Sequence, residues 1–166
     1  MRKLLLLPAL FVVAAATVLL AQAAPGKVDV QWKCAAPNPV HALPVGDKAD
    51  HAYVIQQVKC TAAKGEIGGV KNNEGSGTEF DEATGTNGKG HGIFVETLVN
   101  GDKITYSYTS TGVLSNNMLQ SGSNKWTATS GTGEFKGITA SGTCTAKGAA
   151  DGSALFDCMG TYTLAK

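Results

Sequence analysis

The stretch that most restricts the fold runs from Thr143 to Met159, TCTAKGAADGSALFDCM. Ala150-Asp151-Gly152 reads as a three-residue hairpin loop with Gly152 in the left-handed conformation. That loop pairs Ala149 with Ser153, Ala146 with Phe156 and Cys144 with Cys158. Directly opposed antiparallel residues lie roughly 4.5 to 5.5 Å apart at Cα, a separation that a disulfide accepts. The face carrying Cys144, Ala146, Phe156, Cys158, Tyr162 and Leu164 is apolar, and Thr143, Thr145, Lys147, Asp157, Met159, Thr161 and Thr163 form the other face. Turn, alternation and cysteine spacing therefore agree on one register, and closing this loop is worth on the order of 3 kcal/mol. By elimination Cys34 pairs with Cys60.

A cysteine pair of this kind presupposes an oxidising compartment, and the start of the chain supplies a route to one. Arg2 and Lys3 precede an apolar run from Leu4 to Leu20, and Ala21-Gln22-Ala23 follows. This is the pattern of a secretory signal peptide cut after Ala23; the alternative is an uncleaved anchor, since the run is nearly long enough to span a bilayer. The expected mature chain, 24–166, is a single secreted or periplasmic domain with 12 basic and 13 acidic residues. Such a balance offers nothing to nucleic acid or to anionic lipid.

The remainder reads as short strands. Glycines number 21, and turn signals recur about every ten residues, the spacing of a sandwich or barrel. Strands are expected at Val28 to Lys33, Tyr53 to Thr61, Gly65 to Val70, Gly77 to Ala83 and Asn124 to Thr129, with a helical turn as the alternative for Tyr53 to Thr61. Cys34 to Asp50, with Pro37, Pro39 and Pro44, is expected to be irregular. A further hairpin centres on Asn100-Gly101. A two-residue type I′ turn there pairs Thr97 with Ile104, Val95 with Tyr106 and Ile93 with Tyr108. It turns Ile93, Val95, Ile104, Tyr106 and Tyr108 to the core and leaves Phe94, Glu96, Leu98, Lys103, Thr105 and Ser107 wet.

The glycine-rich run GTGEFKGITASGTC, 131–144, is followed by an alternating strand, not by the helix that a phosphate loop requires. Phe135 is out of phase with Ile138. Gly131-Thr132-Gly133 is thus a turn, Phe135 a core plug and Gly137 a corner. Ser130-Gly131-Thr132-Gly133-Glu134-Phe135-Lys136-Gly137 resembles the Gly-Gly-(Ser/Thr)-Gly-x-Phe-x-Gly signature of allene oxide cyclase and dirigent barrels, with Ser130 at the family's first glycine. The match covers Asn124 to Lys166 and, more loosely, the hairpin from Gly92 to Thr109. The resemblance implies an all-β fold, an antiparallel β-barrel of about eight strands with little helix and an apolar interior, in a small secreted bacterial protein; family members are often trimers. It carries no catalytic residue onto this chain.

Chemistry is sparse. His41, His51 and His91 lack the spacing of metal ligands, though Asp47 and Asp50 lie near His51, and they read as solvated loop residues; no metal or cofactor is expected. Glu79 and Asp81 share a strand face, with Glu82 beside them. They read as a calcium contact, a general acid or, most simply, a solvated strand end. No G-x-S-x-G elbow is present. Tyr53, Tyr106, Tyr108, Trp126 and Tyr162 are the aromatics expected inside the barrel, either filling it or lining a pocket for a small apolar or aromatic ligand. Three functions follow: a non-catalytic ligand carrier, a cyclase- or dirigent-type enzyme needing an inward acid or base, and an envelope interaction module using Phe94, Leu98, Leu155 and Met159 as an outer patch.

Overall fold

The computed structural model describes residues 24–165. The expected signal peptide, 1–23, lies outside the described residues. The strands are β1 (Gly26–Cys34), β2 (Val40–Pro44), β3 (His51–Lys64), β4 (Glu66–Ile67), β5 (Val70–Thr84), β6 (Asn87–Leu98), β7 (Lys103–Ser115), β8 (Met118–Gly131), β9 (Thr139–Gly148) and β10 (Ala154–Thr163). They pair antiparallel in the order β3-β1-β10-β9-β8-β7-β6-β5, and β5 returns to β3. Eight strands thus close a barrel, which removes the open edges of a flat sheet. β1 takes only the C-terminal end of one edge of β3, and β2 takes the N-terminal stretch of the same edge. β2 lies in the proline-rich segment expected to be irregular, where pairing with β3 overrides the local bias of the prolines.

The cysteine hairpin has the expected register. Cys144 opposes Cys158, Ala146 opposes Phe156, and Gly152 has φ +82°. Cys34 opposes Cys60 in the β1–β3 pair. Both pairs form disulfides with Cα atoms 4.0 Å apart, inside the barrel.

The Asn100-Gly101 hairpin differs by one residue. Thr97 pairs with Lys103, Glu96 with Ile104 and Phe94 with Tyr106. The loop has three residues, Val99-Asn100-Gly101, closed by the Leu98 N–H on the Asp102 carbonyl (2.8 Å). Only Gly101 has positive φ, +87°, and Asn100 Oδ1 accepts the Asp102 N–H at 3.0 Å. The asparagine side chain thus holds a wider turn than the two-residue type. Because side chains alternate, the shift reverses the facing of β6 while β7 keeps its own. Phe94, Glu96 and Leu98 point inward, and Ile93 is 46% exposed outside.

One end of the barrel is sealed by apolar side chains. Phe135, at the end of a 3-10 turn (Gly133–Phe135), is fully buried with Ile67, Leu98, Ile104 and Ile138 around it in one core cluster. A Cβ on Gly131 would lie 2.2 Å from the Phe135 carbonyl oxygen, so only glycine lets the chain fold back this tightly. Gly137, φ +76°, turns the chain into β9. The plug and the corner stand where they are expected.

Candidate functional site

The other end is built differently. The inward rows of β6, β7 and β8 there carry glycine at 88, 90, 92, 112 and 122. Where β6 has no side chains, neighbouring strands reach across. Asp81 leans over Gly90, where an added Cβ would meet its carboxylate at 1.9 Å, and the Tyr108 ring covers Gly92. Alternation along β5 places Glu79 and Asp81 on the inward row with Gly75 and Gly77.

These two carboxyls form the centre of a polar cluster. Gln56 Nε2 donates to Asp81 Oδ2 at 2.9 Å and lies 3.4 Å from Glu79 Oε2, so one amide spans both acids. Ser110 Oγ donates to Glu79 Oε1 at 2.6 Å. Burial, and then the neighbouring charge of Glu79, pushes Asp81 up to about 7. Burial, followed by the charges of Glu79 and Asp81, also pushes the Tyr108 hydroxyl well above its ordinary range. Asn124, the cross-strand partner of Ser110, has a buried Oδ1 without a hydrogen-bond donor. No lysine, arginine or histidine stands on the inward rows among the described residues. Gln56, Glu79, Asp81, Ser110 and Asn124 all keep some solvent exposure, so solvent reaches this end of the barrel, its mouth.

The cluster can hold a proton near neutral pH, donate it from Asp81 and accept hydrogen bonds through Glu79 and Asn124. A third inward acid, Glu96, is only 1% exposed and sits deeper. It accepts from Tyr106 Oη at 2.9 Å and from the Asn72 amide, and burial raises its pKa.

Of the five aromatics expected inside, four are there. Tyr108 alone borders the carboxyl pair. Tyr106 and Trp126 meet edge to face, 5.5 Å between centroids, and Trp126 lies across Gly142 and Gly160. Tyr162 reaches the sealed end, where its hydroxyl accepts the Gly68 N–H at 3.0 Å. Tyr53 is a correction. It stands on the outward row of β3, 42% exposed, and stacks on Phe80 at 5.8 Å. Its aromatic character matched a core residue, but Cys60 and Val58 set the inward row of β3 on even numbers.

The acidic knot is likewise not a solvated strand end: Glu79 and Asp81 are inside, and only Glu82 is on the outer wall. Glu82 accepts from His51 Nε2 (3.1 Å) and pairs with Lys89 (3.1 Å), while His51 Nδ1 lies 2.5 Å from Asp47. The His51 side chain is only 9% exposed, which corrects its reading as a solvated loop residue; His41 and His91 are exposed. The outer patch also moves. Phe94 and Leu98 belong to the interior, Met159 is 68% exposed, and Ile55, Phe80 and Ile93 are the exposed apolar residues that line an outer depression of about 590 Å³.

No protein-family model matches the chain, and no curated protein matches its sequence. Among solved structures, it is similar to the pterocarpan synthase dirigent protein PsPTS1, with a TM-score of 0.52 and 10% identity over 87% of this chain and 98% of that one. It is also similar to the pterocarpan synthase dirigent protein GePTS1 (TM-score 0.49, 12% identity, 94% of this chain and 98% of that one). A conserved protein of unknown function, RPA1785 from Rhodopseudomonas palustris, aligns with a TM-score of 0.49 and 8% identity over 84% of this chain and 99% of that one. The fold is therefore that of the dirigent protein barrel.

Proposed function

We propose that this is a secreted small-molecule-binding barrel whose ligand enters the glycine-lined mouth and is held by Gln56, Glu79, Asp81 and Ser110 beside the Tyr108 ring. The observation that carries the reading is the inward carboxyl pair spanned by one glutamine amide, with no cationic side chain on the inward rows among the described residues. An acidic, partly desolvated mouth disfavours an anionic guest and favours an aromatic molecule that bears a hydroxyl or an amine. The two disulfides support an oxidising destination. Titration calorimetry with benzyl alcohol, benzylamine and benzoate tests this. The alcohol or the amine should bind, with Kd raised at least about tenfold by Glu79→Gln or Asp81→Asn. Preferential binding of benzoate, or equal binding by both variants, would sink it.

Asp81 favours a second reading. A carboxyl that keeps its proton to about pH 7 beside a hydrogen-bonded carboxylate is suited to general acid catalysis. In that case Asp81→Asn abolishes turnover while ligand binding survives.

A further inference from the structure

Alternation puts Ile55, Phe80, His91, Thr109 and Lys125 on the outer wall, and the strand pairings set them in one cross-strand row from β3 to β8. This row borders the outer depression of about 590 Å³. One end of it is apolar. Ile55 is directly opposite Phe80, and Ile93 is its diagonal neighbour on β6; the three are 47%, 44% and 46% exposed. Single exposed apolar residues are ordinary, whereas a contiguous group marks a binding surface. The other end is cationic. Lys125 stands opposite Thr109 on β7 and Thr143 on β9 and makes no ion pair among the described residues. Glu79 also borders the depression, but its carboxyl is turned inward to Ser110 and Gln56. Glu82, next along the outer wall, is held by His51 and Lys89. The depression therefore has a positive end and no outward carboxylate to oppose an anion.

From this arrangement we propose that the outer depression binds a monomeric amphiphile with a terminal carboxylate, its apolar tail on Ile55, Phe80 and Ile93 and its carboxylate on Lys125. Length is part of the selection. Phe80 and Lys125 are three strand spacings apart, about 14 Å, and the lysine stem can lie back along the row towards the tail. Benzoate is too short to engage both ends and keeps only one of the two contacts. The surface is separate from the mouth, although the two lie back to back on β5: Glu79 and Asp81 face in and Phe80 faces out. The same wall thus presents acid to the inside and, across its outer face, an apolar patch with a cation. The carboxyls of the mouth repel the anion that the outer depression attracts.

Titration calorimetry of chain 24–166 with dodecanoate below its micelle concentration tests this, with dodecyltrimethylammonium as the same tail on a cation. Dodecanoate should bind, and the ammonium should bind at least about tenfold more weakly. Lys125→Glu and Ile93→Ser should each raise the dodecanoate Kd at least about fivefold, while Lys125→Arg keeps it. Both positions are exposed, so the variants should melt with the parent. Asp81→Asn should leave the Kd unchanged, which separates this surface from the mouth. Failure of dodecanoate to bind overturns the proposal, as does equal binding of the ammonium or a Kd that neither Lys125→Glu nor Ile93→Ser moves. Capture by phosphatidylglycerol vesicles without binding of monomeric dodecanoate also overturns it and assigns the face to a membrane surface.

Discussion

The two ends of this barrel start from the same strands and solve opposite problems. At the sealed end, β6 and β7 contribute Leu98 and Ile104, and Phe135 closes the bottom with essentially no exposure. At the mouth the same two strands contribute Gly88, Gly90, Ser110 and Gly112, and the space is taken by carboxyls and an amide reaching over from β3 and β5. The difference teaches that closure and stability come from one end, so the other can carry costly groups. A buried carboxyl is destabilising where it must ionise, and Asp81 is tolerated because apolar packing elsewhere supplies the stability.

The comparison breaks first at the plug. Phe135→Ala should cost about 3 to 5 kcal/mol in urea unfolding, since the site is enclosed and cannot collapse. A cost near that of a surface change would mean that the end is not a seal. Next comes the facing of β6: Leu98→Ala should cost about 2 to 5 kcal/mol, and Ile93→Ala less than about 1 kcal/mol. The reverse order would restore the two-residue turn. Removing the Cys144–Cys158 bridge with a double alanine variant should cost about 3 kcal/mol, and the cross-strand register predicts no loss of strand content by circular dichroism.

The mouth gives the most specific effect. The folded protein holds the Asp81 proton to about pH 7, whereas the unfolded chain releases it near the ordinary 3.8. Between those values the unfolded state binds fewer protons, so stability falls as pH rises. Glu96, also raised, adds in the same sense. The melting temperature should therefore decline from about pH 4 to about pH 7 and level off above. Asp81→Asn should flatten the decline and be more stable than the parent at pH 8, and Glu82→Gln on the outer wall should not. An unchanged slope in Asp81→Asn would place the carboxyl in water, not in the barrel.

Much of this was legible in the residues. The Cys144–Cys158 hairpin was, because its turn, its alternation and its bridge are all local and agree. The plug was too, because Phe135 is an aromatic between turn-forming glycines. The mouth was half legible. Glu79 and Asp81 could be placed on one strand face, but hydrophobicity selects Phe80 as the inward residue of that strand and so chooses the wrong face. The signal that would have corrected it is Gly88, Gly90 and Gly92 on the next strand: a row of glycines at spacing two leaves room that only a neighbour's side chain can use. Tyr53 is misplaced for the same reason, since aromatic residues stand on both faces of these strands, whereas Phe94 is misplaced because the Asn100 loop is one residue longer than a type I′ turn.

By itself, the sequence determined most of the strands, the cysteine hairpin and the glycine corner, because each follows from neighbours along the chain or from one two-strand pairing; the choice of a barrel over a sandwich followed from the resemblance carried by residues 130–137. The tertiary structure alone decided which face of β5 and β6 turns inward, and with it the carboxyl pair. Facing in a closed barrel is set jointly by the pairings on both edges of every strand. A shift of one residue at the Asn100 loop exchanges inside for outside without altering the composition of the strand.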